Sequence, residues 1–317
     1  MKSLRYFLRA LAAAAGIVLC MNSTAFAADV LLRGDEKCMT CHSAVKGDEV
    51  RGIGLTRHAV MADGRTPSCT NCHGPSDRHL GSGGSDKPDR LFKGAAKSSP
   101  EAINGACLSC HQSDAKRSHW MGSTHQARDV ACTSCHQVHT GHDKVRDKQT
   151  QPEVCFACHK EQRTQVNKPS HHPIPEGKMA CSDCHNPHGS VGPKLMKRES
   201  VNDTCYTCHM EKRGPFVHVH EPVAEDCSNC HNPHGTTAEN MLKARPPFLC
   251  HQCHTPHGAN VAQLAGQGQS AALLSALTGG KSGINYTMAR GCVNCHTQVH
   301  GTNNPSTTNP TPQFNFR

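Results

Sequence analysis

Ten copies of one motif, Cys-x-x-Cys-His, constrain this 317-residue chain more than any other feature. They begin at residues 38, 69, 107, 132, 155, 181, 205, 227, 250 and 292 and contain 20 of the 21 cysteines. Zinc sites and disulfides also use Cys-x-x-Cys, but neither requires His at the next position. The motif is instead the attachment site of a c-type haem, in which two thiols bond to the porphyrin edge and the His binds the iron.

The motifs predict ten haems c and name the residues that would hold them. The predicted attachment cysteines are Cys38, Cys41, Cys69, Cys72, Cys107, Cys110, Cys132, Cys135, Cys155, Cys158, Cys181, Cys184, Cys205, Cys208, Cys227, Cys230, Cys250, Cys253, Cys292 and Cys295. The predicted proximal iron ligands are His42, His73, His111, His136, His159, His185, His209, His231, His254 and His296.

The composition agrees with an interior filled by haems. Hydrophobic residues make up 36% of the chain and aromatic residues 4%, which is little for the core of a conventional domain of this length. We therefore expect the fold class of a multihaem cytochrome c. It would be mostly α-helical or irregular, with short helices, long loops and few or no strands.

The charge balance bears on possible partners. The chain has 34 Lys and Arg against 25 Asp and Glu, a formal net charge of +9. A basic chain can bind nucleic acid, but no run of five or six like charges occurs here. Each haem would bring two propionates, so we interpret the basic residues as their counter-charges and expect no nucleic-acid partner.

Residues 1–27 are typical of a cleavable signal peptide. Basic residues precede an apolar stretch from Leu11 to Leu19, and Ala25-Phe26-Ala27 matches a cleavage site. Lipidation at Cys20 is the alternative, which the bulky Leu19 before it disfavours. No later stretch approaches the ~20 apolar residues of a membrane-spanning helix. We expect export to a periplasm.

Ten bis-His irons also need ten distal ligands, and fifteen histidines lie outside the motifs. The motifs alternate between two kinds, which indicates a tandem array of two-site repeats. In one kind a His follows the proximal His by three to six residues, and in the other a His lies 7 to 11 residues before the next motif. This pattern predicts the distal ligands His58, His79, His125, His139, His172, His188, His220, His234 and His300, and His257 completes the set.

Two sequence details refine this assignment. The segments Asn-Pro-His-Gly at 186–189 and 232–235 predict turns directly after the proximal His. Two histidines so close could hardly straddle one porphyrin, so we expect the second to serve a neighbouring haem. The remaining histidines, interpreted as solvated or propionate-bonding side chains, are His119, His142, His171, His218 and His251.

Longer segments around the motifs carry a family resemblance. They are DVACTSCHQVH at 129–139, CSDCHNPHGS at 181–190, SVNDTCYTCHMEKRGP at 200–215, CSNCHNPHG at 227–235 and CVNCHTQVHG at 292–301. Over essentially its whole mature length the chain resembles the MtrA-type (DmsE-family) decahaem cytochromes, which include the iron-oxidation relatives MtoA and PioA.

The resemblance implies an elongated wire of ten bis-His haems inside an outer-membrane β-barrel porin of the MtrB type. It implies an N-terminal five-haem half, residues 28–168, and a C-terminal half, residues 169–317, that ends in a polar tail. Electrons would pass between a periplasmic or inner-membrane quinone-linked cytochrome and an extracellular multihaem cytochrome or metal. The resemblance also favours His172 over His171 and His220 over His218 as ligands.

Other functions remain open at this point. One is a soluble periplasmic electron shuttle to a nitrite reductase, and another is a multihaem oxidoreductase with one open haem. Such enzymes often carry an altered motif such as C-x-x-C-K, whereas all ten motifs here end in His. We therefore expect an electron-transfer protein without catalytic residues. The residues do not determine whether it serves Fe(II) oxidation or the reduction of a metal.

Overall fold

The computed structural model describes residues 35–42, 50, 52–60, 65–254, 292–294 and 296–303. The predicted signal peptide, His257, Cys295 and the C-terminal tail lie outside these residues. The chain divides into two compact parts. The first comprises Met1–Ala102 and Gln137–His142, and the second comprises Ile103–His136 and Asp143–Arg317. The boundary between two five-haem halves after residue 168 stays a prediction.

Short helices are the main regular structure. The α-helices are α1 (Glu36–His42), α2 (Cys69–His73), α3 (Asp77–Gly81), α4 (Pro100–His111), α5 (Gln151–Phe156), α6 (Lys160–Val166), α7 (Cys181–Cys184), α8 (Val201–Tyr206) and α9 (Glu221–Glu225). The 3-10 turns are Gly52–Leu55, Arg57–Ala59, Gln126–Arg128, Cys132–Ser134, Lys144–Arg146, Pro193–Leu195, Met210–Lys212, Cys227–Asn229, Glu239–Met241, Cys250–Gln252 and Cys292–Asn294.

Strand pairing in the described residues is limited to isolated bridges. These are Ser170 with Thr236, His185 with Met196, His218 with Thr302 and His231 with Leu242. The predicted fold class, with short helices, long loops and few or no strands, is therefore confirmed. None of the helices in the described ranges is long and apolar enough to cross a bilayer.

Each Cys-x-x-Cys-His motif forms one helical turn. The backbone N–H of the motif His donates to the carbonyl of the first Cys, for example from His159 to Cys155 at 2.9 Å. The same bond forms in the last motif, from His296 to Cys292 at 2.8 Å. A turn of this kind places residues i and i+4 on one face of the helix. The motif His therefore lies above the first of its two cysteines.

Three helices begin with residues that favour a first helical turn. Pro152 lies in the first turn of α5 and Pro222 in that of α9, where the absent N–H of proline costs nothing. The Oγ of Ser200 accepts a hydrogen bond from the backbone N–H of Asp203 at 3.0 Å and caps α8. Helices this short are marginal in isolation, so contacts elsewhere must hold them.

The hydrophobic core of the described residues is small. The buried apolar side chains are Ala59, Ile103, Trp120, Ala131, Phe156, Val166, Ala180, Met196, Val201 and Ala238. Several recur at equivalent motif positions: Ile103 and Val201 each lie four residues before a motif Cys, and Ala131 and Ala180 lie directly before one. The packed side chains therefore gather around the motifs.

Candidate haem sites

Histidine rings that are distant in sequence meet in pairs. Among the described residues, eight predicted proximal ligands each lie against one predicted distal ligand, with ring centres 6.0 to 6.3 Å apart. In order along the chain these pairs are His42 with His79, His73 with His139, His136 with His188, His159 with His125, His185 with His234, His209 with His172, His231 with His300, and His254 with His220.

This spacing fits an iron between the two rings. An Fe–N bond of about 2.0 Å and a distance of roughly 1.1 Å from ring nitrogen to ring centre put two axial imidazoles about 6.2 Å apart. Direct stacking would bring the rings much closer, since carbon atoms in contact lie about 3.5–4.0 Å apart. The distance between the paired ring centres therefore matches that of two imidazoles bound to opposite faces of one haem iron.

Two predicted sites are not covered by these pairs. His58 lies in the first compact part and His111 in the second. The remaining predicted distal ligand, His257, lies outside the described residues, and the proximal His296 has contacts of its own. The ligand assignments at these positions stay predictions.

The hydrogen bonds of the paired rings set their tautomer. In seven of the described rings Nδ1 lies 2.7 to 3.1 Å from a backbone carbonyl oxygen. These rings are His73, His79, His125, His172, His185, His220 and His231. A carbonyl oxygen only accepts, so Nδ1 carries the hydrogen and Nε2 keeps its lone pair. Such rings are prepared to bind a metal through Nε2.

Burial keeps several of the rings uncharged. Desolvation, and then the neighbouring charges of His136 and Arg117, lower the pKa of His188 to about 4. Burial likewise lowers the pKa of His185, His234 and His300. A histidine must be neutral to bind a metal, so this environment favours ligation.

The Asn-Pro-His-Gly turns orient two rings at once. The carbonyl of Pro187 accepts from Nδ1 of His125 at 2.8 Å, while the next residue, His188, pairs with His136. The side chain of Asn186 holds the turn by accepting from the backbone N–H of His188 at 3.2 Å. One turn therefore serves two different sites.

The same arrangement recurs further along the chain. The carbonyl of Pro233 accepts from Nδ1 of His172 at 2.8 Å beside His234, and that of Val299 accepts from His220 at 3.1 Å beside His300. The prediction that the second His of each turn serves a neighbouring site agrees with these pairs, because His188 and His234 lie against His136 and His185 rather than against the rings beside them in sequence.

Glycine is required at the end of these turns. Gly189 has φ of 109°, and a Cβ there would lie 2.0 Å from the carbonyl oxygen of His119. Gly235 has φ of 137°, and its Cβ would lie 2.3 Å from the carbonyl oxygen of Gln165. Both positions need positive φ and a close approach of two backbones, which a side chain prevents.

A buried polar side chain joins the two sites of each of the first four repeats. It lies three or four residues before the first motif, and its oxygen accepts a backbone N–H at the start of the second motif. The contacts are Asp35 with Cys69 at 2.6 Å, Asn104 with Cys132 at 2.7 Å, Gln151 with Ser182 at 2.8 Å and Asn202 with Cys227 at 2.7 Å. We call these residues the repeat clips.

The repeat clips differ in their second polar atom. The amide nitrogen of Asn104 donates to the carbonyl of Val130 at 3.1 Å, and that of Asn202 donates to Val223 at 2.9 Å. Asp35 has a carboxyl group instead, and its Oδ2 is buried without a hydrogen-bond partner. Burial accordingly raises the pKa of Asp35. In the fifth repeat the equivalent position holds Pro247, which has no polar side chain.

The motif cysteines of one repeat lie next to each other. The thiols of Cys107 and Cys132, of Cys155 and Cys181, and of Cys205 and Cys227 interact directly, so the two attachment sites of a repeat are adjacent. Every cysteine of the described residues is free of disulfides. In the same residues no group of three or more His, Cys, Asp or Glu side chains could hold a metal ion. The two imidazoles of each ring pair suit the two axial positions of a haem iron, whereas a structural zinc site takes four ligands.

Comparison with known proteins identifies the family. A model described as a doubled CXXCH motif matches residues 171–214 and 220–259, and one described as a cytochrome c-type protein, NrfB-like, matches residues 69–151. The chain is 44% identical over 279 residues to the multihaem cytochrome MtrA of Shewanella baltica (strain OS185), covering 86% of this chain and 80% of that protein. The chain belongs to the MtrA-type multihaem cytochromes. As such it binds haem c covalently and transfers electrons.

One surplus histidine of this MtrA-type cytochrome, His171, is engaged in other contacts. Nδ1 of His171 bonds to the carbonyl of Lys168 and its Nε2 lies 3.2 Å from Oε1 of Glu176. The first of these bonds and then the carboxylate raise the pKa of His171. Each ring nitrogen faces an acceptor, so neither is free to bind a metal. Its neighbour His172 has Nδ1 on Pro233 and its ring 6.3 Å from that of His209.

Sequence reasoning missed the residues that support the MtrA-type sites. The repeat clips could have been found by aligning the repeats, because Ile103-Asn104 and Val201-Asn202 stand at the same distance from a motif Cys. Lys194 and Asn240 have a left-handed backbone, and their carbonyls accept hydrogen bonds from His185 and His231. Their residue types do not reveal this role. Asp143, which contacts His136, occurs at one site and belongs to no repeated pattern.

Proposed function

We propose that this MtrA-type cytochrome holds ten bis-His haems c and conducts electrons across the outer membrane inside a β-barrel partner. The observation that carries the proposal is the series of ring pairs at 6.0 to 6.3 Å, which runs through all five repeats. An imidazole on each face leaves no iron position for a substrate. Such sites suit electron transfer, because their ligands need not change with oxidation state.

The chain's own residues give each site its rigidity. A c-type haem supplies one-electron oxidation and reduction at its iron. The motif turn holds the proximal ring, and in seven of the eight described pairs a segment of an adjacent repeat holds the distal ring. Backbone carbonyls such as those of Pro187 and Pro233 keep the hydrogen on Nδ1, so the imidazoles stay in one tautomer. Rigid neutral ligands of this kind favour rapid transfer in either direction.

The proposed location and partners follow from the family and from the predicted signal peptide. The chain would be exported to the periplasm and associate with the outer membrane in an MtrB-type porin. A periplasmic or inner-membrane quinone-linked cytochrome would exchange electrons at one end, and an extracellular multihaem cytochrome or a metal at the other. The physiological process would be Fe(II) oxidation or the reduction of an external acceptor.

A soluble periplasmic shuttle is the second candidate. The NrfB-like match over residues 69–151 supports it, because that model describes a c-type cytochrome and covers three of the motifs. The two functions share the same ligand chemistry and differ in whether a barrel partner is needed.

A transfer experiment across a closed membrane separates these functions. The ten-haem protein is reconstituted with its barrel partner in liposomes that enclose a reduced dye, and an acceptor is added outside. Conduction predicts rapid oxidation of the dye only when the barrel and the cytochrome are both present. Equal rates with the barrel alone would contradict the conduit. Turnover of nitrite or hydroxylamine by the cytochrome alone would instead indicate an open iron and an enzyme.

A further inference from the structure

One proximal imidazole has a carboxylate partner at hydrogen-bond distance. Nδ1 of His136 lies 2.7 Å from Oδ2 of Asp143. The corresponding atoms of His73, His185 and His231 bond to backbone carbonyls at 2.8 to 3.0 Å. The fourth site therefore has a charged acceptor where comparable sites have a neutral one.

The contact is well shielded and well positioned. The side chain of Asp143 is 15% exposed and that of His136 31% exposed. Asp143 is the N-cap residue directly before the 3-10 turn Lys144–Arg146. The backbone carbonyl of Asp143 accepts a hydrogen bond from the N–H of Arg146 at 2.9 Å. By comparison, Glu211 lies 3.6 Å from Nδ1 of His209, and both side chains are more than half exposed. Water screens the pair of Glu211 and His209, so among the described residues Asp143 has the stronger electrostatic effect on a motif histidine.

A carboxylate on Nδ1 changes the chemistry of the ring it contacts. It attracts the Nδ1 hydrogen and gives the imidazole part of the character of an anion, which makes Nε2 a stronger donor to a metal. A stronger donor and a nearby negative charge both stabilise the more highly charged, oxidised iron.

We propose that Asp143 is a tuning residue that holds the fourth haem site, formed by His136 and His188, at a lower reduction potential than sites whose rings donate to carbonyls. This inference rests on the proposed function, because it assumes a bis-His haem between those rings. It deepens that function by naming a site that stays oxidised after its neighbours are reduced.

The test compares three variants of the full ten-haem protein. Asp143→Asn keeps an oxygen acceptor and removes the charge, and Asp143→Glu keeps the charge. Asp89→Asn is the matched control, since Oδ2 of Asp89 accepts a hydrogen bond from the backbone N–H of Ser76 at 2.9 Å rather than from an imidazole. Intact mass first establishes that each variant carries its full set of haems. The readout is a potentiometric titration followed by electron paramagnetic resonance, which resolves low-spin sites by their g-values.

We expect Asp143→Asn to raise the potential of a component equal to one haem. Contacts of this kind alter metal sites by roughly 10-fold or more, and a tenfold change in the equilibrium constant is about 59 mV for one electron. Asp143→Glu and Asp89→Asn should leave that component near its wild-type potential. An unchanged titration in Asp143→Asn, or an equal shift in Asp89→Asn, would overturn the proposal.

A measurement on the unaltered protein guards against a variant that misfolds. Near-infrared magnetic circular dichroism of the oxidised protein should contain one charge-transfer component at higher energy than the rest, as an imidazole with anionic character requires. Its absence would also overturn the proposal. A full complement of low-spin haems with no such component would leave the proposed conduit intact, so the two failures are distinguishable.

Discussion

The rings of His73 and His139 stand at 87° to each other with their centres 6.2 Å apart, whereas those of His136 and His188 are nearly parallel at 9°. The other described pairs fall on both sides of this contrast, except that of His172 with His209, which lies between them at 47°. Those of His42, His185, His231 and His254 with their partners lie at 14 to 28°, and that of His125 with His159 at 75°. Ring orientation determines how far the iron d orbitals are split.

These angles predict two classes of ferric spectrum. Parallel imidazole planes separate two of the d orbitals and give a rhombic electron paramagnetic resonance signal. Perpendicular planes leave them nearly equal in energy and give a signal with one very large g-value. We expect both classes in the oxidised protein, with the parallel class larger. A spectrum of one class alone would contradict the ring geometry.

Two adjacent histidines allow a sharp test of ligation. His172→Ala should remove one axial ligand and give a high-spin ferric signal, with carbon monoxide binding after reduction. His171→Ala is the matched control and should leave every haem low-spin, because both nitrogens of His171 are already bonded. Optical and paramagnetic resonance spectra of the two variants measure this. Identical spectra would show that the assignment of His172 is wrong.

The turn at 186–189 should couple two sites. Gly189→Ala would place a Cβ 2.0 Å from the carbonyl oxygen of His119, so the turn must move. Because Pro187 orients His125 and the next residue is His188, we expect spectral changes equal to two haems rather than one. Gly105→Ala in α4 is the control, since nothing lies within 4 Å of its Cβ. That variant should be unchanged or more stable by up to about 1 kcal/mol.

Asp35 should make stability depend on pH in an unusual direction. Burial raises its pKa above 3.8, against the opposing hydrogen bond from Cys69, so the folded chain holds this proton more tightly than the unfolded chain. Stability is therefore lost as pH rises through the folded pKa. We expect Asp35→Asn to be increasingly more stable than wild type as pH rises from about 3 to 7, measured by thermal unfolding.

Asp114 provides a control of opposite sign. The backbone N–H of Lys116 and the guanidinium of Arg117 lower its pKa, so its contribution to stability is present above 3.8 and lost as pH falls through the folded pKa. Asp114→Asn should therefore become less stable than wild type as pH rises. Parallel curves for the two variants would contradict the burial of an unpartnered carboxyl at Asp35.

Sequence reasoning predicted the histidines of the ring pairs better than their pairing. The repeat pattern singled out His188, which recurs as His234, whereas the family resemblance favoured His172 over His171. It could not assign His188 to His136, because that pairing depends on how two turns approach in space. The role of the Pro187 carbonyl as an acceptor could not be predicted either, because every residue has a backbone carbonyl. Asp143 lacked a counterpart in other repeats, and only its distance to His136 reveals it.

The exchange of rings between repeats has a consequence for how such chains can grow. The third repeat, with motifs at 155 and 181, provides His172 to the repeat after it and His188 to the repeat before it. It receives His125 from the preceding repeat and His234 from the following one. An interior repeat thus gives one imidazole in each direction and takes one from each side.

Gene duplication or loss can therefore change the chain by whole repeats without leaving an imidazole unmatched. Removal of residues 181–226 would put His172 in the place that His220 now holds and His234 in the place of His188. Intact mass should then show two haems fewer, and spin-state spectra should show no high-spin haem. The first repeat departs from this exchange because His42 pairs with His79 of its own repeat. Its second site still takes His139 from the next repeat, so repeats can be added beyond it and the distance that electrons travel can lengthen in steps of two haems.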